Sequence, residues 1–167
     1  MAEENFHRKL NVAQKYERWI GLNYDVVKYN DDNRYDLLLS NGIKIEVKHD
    51  HGTRTGNMCI EFMSRNKPSC ISVTESDYHI FVFPMIQEIW MMKTDKLKEM
   101  IKDFKIGLTD DNWTTDLMYF DNLPGGDADP ITGEKTSKIH LFRMKDIKHL
   151  FKTKSMYIPI YKRKEIV

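Results

Sequence analysis

Long apolar runs, cysteines and net charge are all scarce in this chain of 167 residues. No stretch of eighteen apolar residues occurs, which excludes a hydrophobic membrane-spanning helix. The N-terminus is charged and periodic rather than built like a signal peptide, so a soluble, unsecreted, cytosolic protein is expected. The only two cysteines, Cys59 and Cys70, lack CxxC spacing. That argues against a zinc site and a disulfide framework and leaves both as free thiols. A net charge of +1 does not announce a nucleic-acid binder. Repeats and low-complexity tracts are also missing. What remains, 41% hydrophobic residues in a chain of this length with no linker, predicts one domain spanning residues 1–167.

Charge is unevenly spread. From Lys138 onward nine Lys or Arg stand against two acids. This stretch is either a solvated basic surface or a face that contacts phosphates.

Hydrophobic periodicity places the elements. Phe6, Leu10, Ala13 and Ile20 recur at helical spacing over 5–20, flanked by Val12, Tyr16 and Trp19. Glu17 interrupts that stripe, where it either leans out to water or serves a site. Strands are expected near 24–28, in a hairpin over 34–50, near 58–63, at 78–83 and over the "EIWMMKT" stretch. The run 78–83 is almost wholly apolar, as in a strand covered on both faces. "SVTE" at 72–75 matches a capping box and predicts a short helix. Thr94 should cap a helix to about 104 with Leu97, Met100, Ile101 and Phe104 on one face. Residues 122–135, rich in Gly, Pro and Asp, read as an acidic loop. A strand at 139–144 and a basic helix at 146–152 close the chain. The order describes an α/β protein with a mixed sheet flanked by helices.

The hairpin "RYDLLLSNGIKIEVKHD" carries the chemistry. A two-residue Asn41-Gly42 turn would scatter charged and apolar side chains over both faces. A three-residue loop, Ser40-Asn41-Gly42, with Gly42 left-handed, pairs Leu37 with Ile45 and Leu39 with Ile43 on one apolar face. A slip of one residue reverses every side chain, so burial favours the longer loop. Asp36 then lies directly across from Glu46, where two carboxylates repel unless a cation sits between them. Oxygen donors suit Mg²⁺ or Mn²⁺. Lys48 returns to the same face, and Glu17 completes the set if the first helix packs beside the hairpin.

An acid, nine residues, then Glu-x-Lys at the end of a hairpin, after a helix bearing a glutamate, resembles the PD-(D/E)XK nuclease superfamily. The resemblance covers about residues 1–104, leaving 105–167 as a C-terminal extension. It implies a restriction-endonuclease-like αβββαβ core and a Mg²⁺-dependent (or Mn²⁺-dependent) endonuclease acting on DNA, with RNA the second choice. Asp36, Glu46 and Lys48 match its catalytic residues; Glu17, Asp36, Glu46 and the main chain of Val47 match its metal ligands. Tyr35, where some members have proline, precedes Asp36 and shortens the motif. The spacing looks most like Holliday-junction resolvases and phage-encoded relatives. That branch implies branched DNA, a homodimer, and a bacterial or phage-infected cytoplasm. The alternative is a non-catalytic nucleic-acid-binding or regulatory module on the same fold.

Other residues enter as nucleic-acid contacts. "HDHGTRTG" (49–56) supplies His51 and Arg54 on a Gly-containing loop, and Lys67 precedes the expected helix start at Ser72, where a phosphate would bind. His49, Asp50 and His51 are consecutive loop residues, a poor metal cage. Glu61 joins the site only if its strand presents the matching face.

Overall fold

The computed structural model describes residues 2–32, 34–51, 53–64, 67–105, 117–121 and 138–161; the side chains of 2–11, 54, 104–105, 117–121 and 138 lie outside that description. In chain order the elements are α1 (Ala2–Gly21), β1 (Val26–Tyr29), β2 (Leu37–Leu39), β3 (Lys44–His49), β4 (Asn57–Ser64), β5 (Lys67–Pro68), β6 (Tyr78–Phe83), β7 (Glu88–Lys93), α2 (Thr94–Lys105), β8 (Leu117–Asp121), β9 (Lys138–Arg143), α3 (Met144–Ile147) and β10 (Lys152–Ser155). The strands form a six-stranded sheet, β1-β2-β3-β6-β7-β10, and a four-stranded sheet, β5-β4-β9-β8. All neighbours are antiparallel except β3 and β6, so the larger sheet is mixed. The protein is α/β, with helices flanking a mixed sheet.

Alternation along β6 shows why this strand is central. Ile80 and Val82 point into a core with Tyr16 and Ile20 of α1 and with Ile45 and Val47 of β3. Phe81 and Phe83 point the other way, against Trp90, Leu97 of α2 and Met58, Ile60 and Phe142 of the smaller sheet. Each such side chain contributes roughly 1.5–3 kcal/mol by leaving water. The buried stripe of α1 runs through Val12, Tyr16 and Ile20, one step around from the expected one; Ala13 and Glu17 lie half-buried at its edge. The side chains of Phe6 and Leu10 lie outside the described residues.

The hairpin takes the longer loop. Leu37 pairs with Ile45 and Leu38 with Lys44. Gly42 has φ +83 and its N–H donates to Leu39 O at 2.9 Å, while Asn41 Oδ1 accepts the Ile43 N–H at 3.1 Å. Only glycine adopts that φ without strain.

Four expectations are corrected. No helix starts at Ser72: a 3₁₀ turn, Cys70–Ser72, gives way to extended chain. Glu75 does not reach back as a capping box requires; its N–H donates to Arg34 O at 2.8 Å and its carboxylate pairs with Lys44 and Arg34. The phosphate-binding helix start therefore does not form. The strand expected near 58–63 exists as β4, but it leaves the hairpin's sheet and pairs with β5 and β9. The C-terminal third is woven into both sheets rather than appended, since β8 and β9 build the smaller sheet and β10 borders β7. Its basic helix shrinks to α3 and a 3₁₀ turn, and 152–155 become strand. The acidic loop at 122–135 lies outside the described residues. No described helix is long and apolar enough to cross a membrane.

Candidate active site

The site forms where the hairpin strands part. Regular pairing of β2 with β3 ends at Leu37 and Ile45. Beyond it the Asp36 N–H still reaches Ile45 O at 2.9 Å, and the Asp36 carbonyl accepts the Asn30 N–H at 2.8 Å. The next main-chain donor, Val47 N–H, is taken by the Asp36 carboxylate, Oδ2, at 2.6 Å. A side chain thus continues the ladder and is held rigidly beside Glu46.

Glu46 is 3% exposed. Its Oε1 lies 2.5 Å from Lys48 Nζ, and its buried Oε2 has no hydrogen-bond partner among the described residues. Burial, reinforced by the charge of Glu46 and opposed by Lys48 and the Val47 N–H, raises the Asp36 carboxyl to about 7. Glu17, reaching from α1, is likewise raised to about 7, by burial first and then by Asp36, Glu46 and Asp31, against the pull of Lys48. Burial alone would lower the Lys48 ammonium, but Cys70, Glu46 and Asp36 together hold it well above the ordinary lysine range. Its side chain remains 40% exposed, so it faces both the carboxylates and solvent. Three carboxyls and one lysine therefore share one field, with two of the acids reluctant to ionise. An added cation would relieve both.

Asp36 and Glu46 offer carboxylate oxygens for such a cation, including the orphaned Oε2. Among the described residues no three His, Cys, Asp or Glu side chains form a ready-made metal cage. This donor set suits Mg²⁺, which takes one or two carboxylates and keeps several waters, better than an ion needing a full protein shell.

The remaining expected residues separate. His51 docks against α1, its Nε2 3.1 Å from the buried Tyr16 hydroxyl, which also donates to Pro159 O and accepts the Tyr161 N–H. Lys67 lies exposed on β5, an edge of the smaller sheet. The Arg54 side chain is outside the described residues. Glu61 on β4 accepts the Ser69 hydroxyl at 2.6 Å and shares a cavity with Lys48. In the basic C-terminal stretch, Arg143 pairs with Asp146 and Lys148 with Glu88, while Lys152 and Lys154 are exposed on β10. That strand is three places from β3 across the sheet.

His79 was not anticipated. It is paired in register with Glu46 across the parallel β3–β6 ladder and is 1% exposed. Burial, then Lys48 and Lys98, lower its imidazole to about 3, so it is neutral at physiological pH. A histidine in an otherwise apolar strand was the available signal; its partner strand was not.

No family model, curated protein or solved structure matches this chain. What the arrangement can do must be read from its own chemistry.

Proposed function

We propose that this protein is a Mg²⁺- or Mn²⁺-dependent nuclease that hydrolyses DNA phosphodiester bonds. The observation that carries the reading is the buried juxtaposition of Asp36 and Glu46 at the parting hairpin, with Lys48 on the same face. Asp36 and Glu46 would hold the ion, with Glu17 and the Val47 main chain completing its surroundings. When bound, the ion supplies Lewis acidity toward water and phosphate. Lys48 serves as the fixed positive charge beside the substrate phosphate and as an orienting donor for the attacking water. Asp36, tied to Val47, keeps the carboxylates in place without a costly rearrangement.

The helix α1, the β1-β2-β3 meander and the parallel strand β6 support a nuclease-like core of the PD-(D/E)XK kind. The crossover from β3 to β6 differs from that pattern in carrying β4 and β5 instead of a helix. A second reading, a nucleic-acid-binding module without catalysis, is favoured by the direct Lys48–Glu46 ion pair, which partly neutralises the site by itself.

Cleavage of linear and four-way-junction DNA, and of matched RNA, with Mg²⁺, Mn²⁺ or EDTA, tests both. The expected result is metal-dependent DNA cutting that falls by at least about 10²-fold in Glu46→Ala and Lys48→Ala. Binding of DNA with no cutting of any substrate would overturn the enzyme reading in favour of the module.

A further inference from the structure

Glu46 and His79 each bury a polar atom that has no hydrogen-bond partner among the described residues: Oε2 of the carboxylate and Nε2 of the ring. The two residues stand in register on the adjacent parallel strands β3 and β6, so their side chains leave the same face of the sheet from backbones about 4.8 Å apart. Lys48 and Phe81 repeat the pairing two residues on. Less than 1 Å² of either orphaned atom is exposed, so no water or ligand reaches it. Whatever satisfies these atoms must come from the protein itself.

The surroundings of the ring fix where its proton sits. β7 borders β6 on the side away from β3, and Thr94 follows β7. His79 Nδ1 lies 3.0 Å from the Thr94 hydroxyl, which turns Nε2, on the opposite edge of the ring, toward β3. The Thr74 hydroxyl donates to Arg34 O at 3.1 Å, so the Ser76 hydroxyl, 2.8 Å away, donates to Thr74. Thr94 is then the donor left for Nδ1, and an Nδ1 that accepts puts the ring N–H at Nε2. Burial keeps the ring neutral, so this is its one N–H. The opposite tautomer, with Nδ1 donating to Thr94, would set a bare Nε2 beside a bare Oε2, two buried acceptors with no donor between them.

We propose that His79 is the positioning residue of Glu46, its Nε2–H donating to Oε2 and holding the carboxylate in one orientation. The terminal torsion of a glutamate is broad, and a small turn of the carboxylate closes the contact. Oε1 stays with Lys48, while Oε2, with two lone pairs, accepts the N–H and keeps a lone pair for a cation. A carboxylate ligand oriented by such a partner binds its ion more tightly. The proposal rests on the cation-binding part of the nuclease reading and adds to it a residue that never touches substrate.

Nitrogen NMR of the histidine rings in metal-free protein reads the tautomer directly. His79 should be protonated at Nε2, and protonation at Nδ1 overturns the proposal. Calorimetry with Mn²⁺ then compares His79→Gln, whose amide keeps a donor near the Nε2 position, with His79→Asn, whose shorter amide keeps only the Thr94 side. His79→Asn should weaken Mn²⁺ binding by about 10–100-fold and His79→Gln by less than about threefold. Equal losses in the two variants, or no loss in His79→Asn, overturn the proposal. Should His79→Asn fail to fold, the tautomer and the His79→Gln affinity still decide. No Mn²⁺ binding by the unaltered protein overturns this proposal and the nuclease reading together. DNA cutting with unchanged Mn²⁺ affinity in His79→Asn removes the role of His79 and leaves the nuclease reading intact. Weakened Mn²⁺ binding confined to His79→Asn, with no DNA cut by the unaltered protein, supports the role of His79 and removes the nuclease reading.

Discussion

Two clusters of acids and bases draw on the same hairpin and behave in opposite ways. Asp32, Arg34, Lys44 and Glu75 form an exposed chain of ion pairs at 3.0–3.4 Å. There the hydrogen bond from Arg34 holds Asp32 below the usual carboxylate range, and the hydrogen bond from Lys44 does the same for Glu75. Glu17, Asp36, Glu46 and Lys48 are similar in kind, but burial and mutual repulsion push Asp36 and Glu17 up to about 7. Charged residues are common to both. What separates them is access to water and the ratio of cations to carboxylates. The exposed cluster is close to neutral, while the buried one has a single lysine for its three acids. Such a deficit of positive charge, built into a rigid strand junction, is what a cation-binding site requires.

Breaking the contrast at Asp36 should have the largest effect on stability. Its carboxyl has an ordinary value of 3.8 and a folded value of about 7, so between these pH values the folded state holds a proton that the unfolded state has released. Stability therefore falls as pH rises through that window and levels off above it. Asp36→Asn removes this penalty and should stabilise the metal-free protein by roughly 2–4 kcal/mol at pH 8, an effect that disappears below about pH 4. Thermal melts at pH 4, 6 and 8 would show it as a growing gap in Tm. Asp32→Asn, in the exposed cluster, should change Tm by no more than about 1 °C at any of these values. A pH-independent Asp36→Asn effect would refute the account of the buried cluster.

A smaller effect sharpens the comparison through the metal. An ion bound to carboxyls that titrate near 7 must displace protons at low pH and none at high pH. Calorimetry with Mn²⁺ in buffers of different ionisation enthalpy should report release of about one to two protons near pH 6 and close to none at pH 8.5. Proton release that does not change with pH would place the ion elsewhere. The smallest effect concerns the turn that aligns the two acids. Gly42→Ala, at φ +83, should cost about 1 kcal/mol in chemical denaturation without altering the pH response. A larger loss accompanied by a changed pH profile would mean that the hairpin register had slipped.

Much of this was legible along the chain because it depends on neighbours in sequence. The left-handed Gly42 and the apolar alternation of Leu37, Leu39, Ile43 and Ile45 select one register, and that register alone sets Asp36 beside Glu46 and Lys48. The helical periods of α1 and α2 and the two-sided apolar strand β6 are equally local. The false helix at Ser72 arose from a local capping pattern that lost to the ion pairs of Glu75 with Lys44 and Arg34, residues some thirty to forty positions away.

Nearest-neighbour patterning is sufficient for a hairpin because a two-fold side-chain period and a short turn leave few arrangements to choose between. It has no means of choosing which distant strands become partners, since that choice depends on burying surfaces from segments far apart in the chain. Tertiary structure therefore decided that β4 joins a second sheet, that β9 and β10 divide between the two sheets, and that the parallel β3–β6 pairing sets His79 beside Glu46. The catalytic candidates come from one local turn, and the cavity next to them from the packing of two sheets.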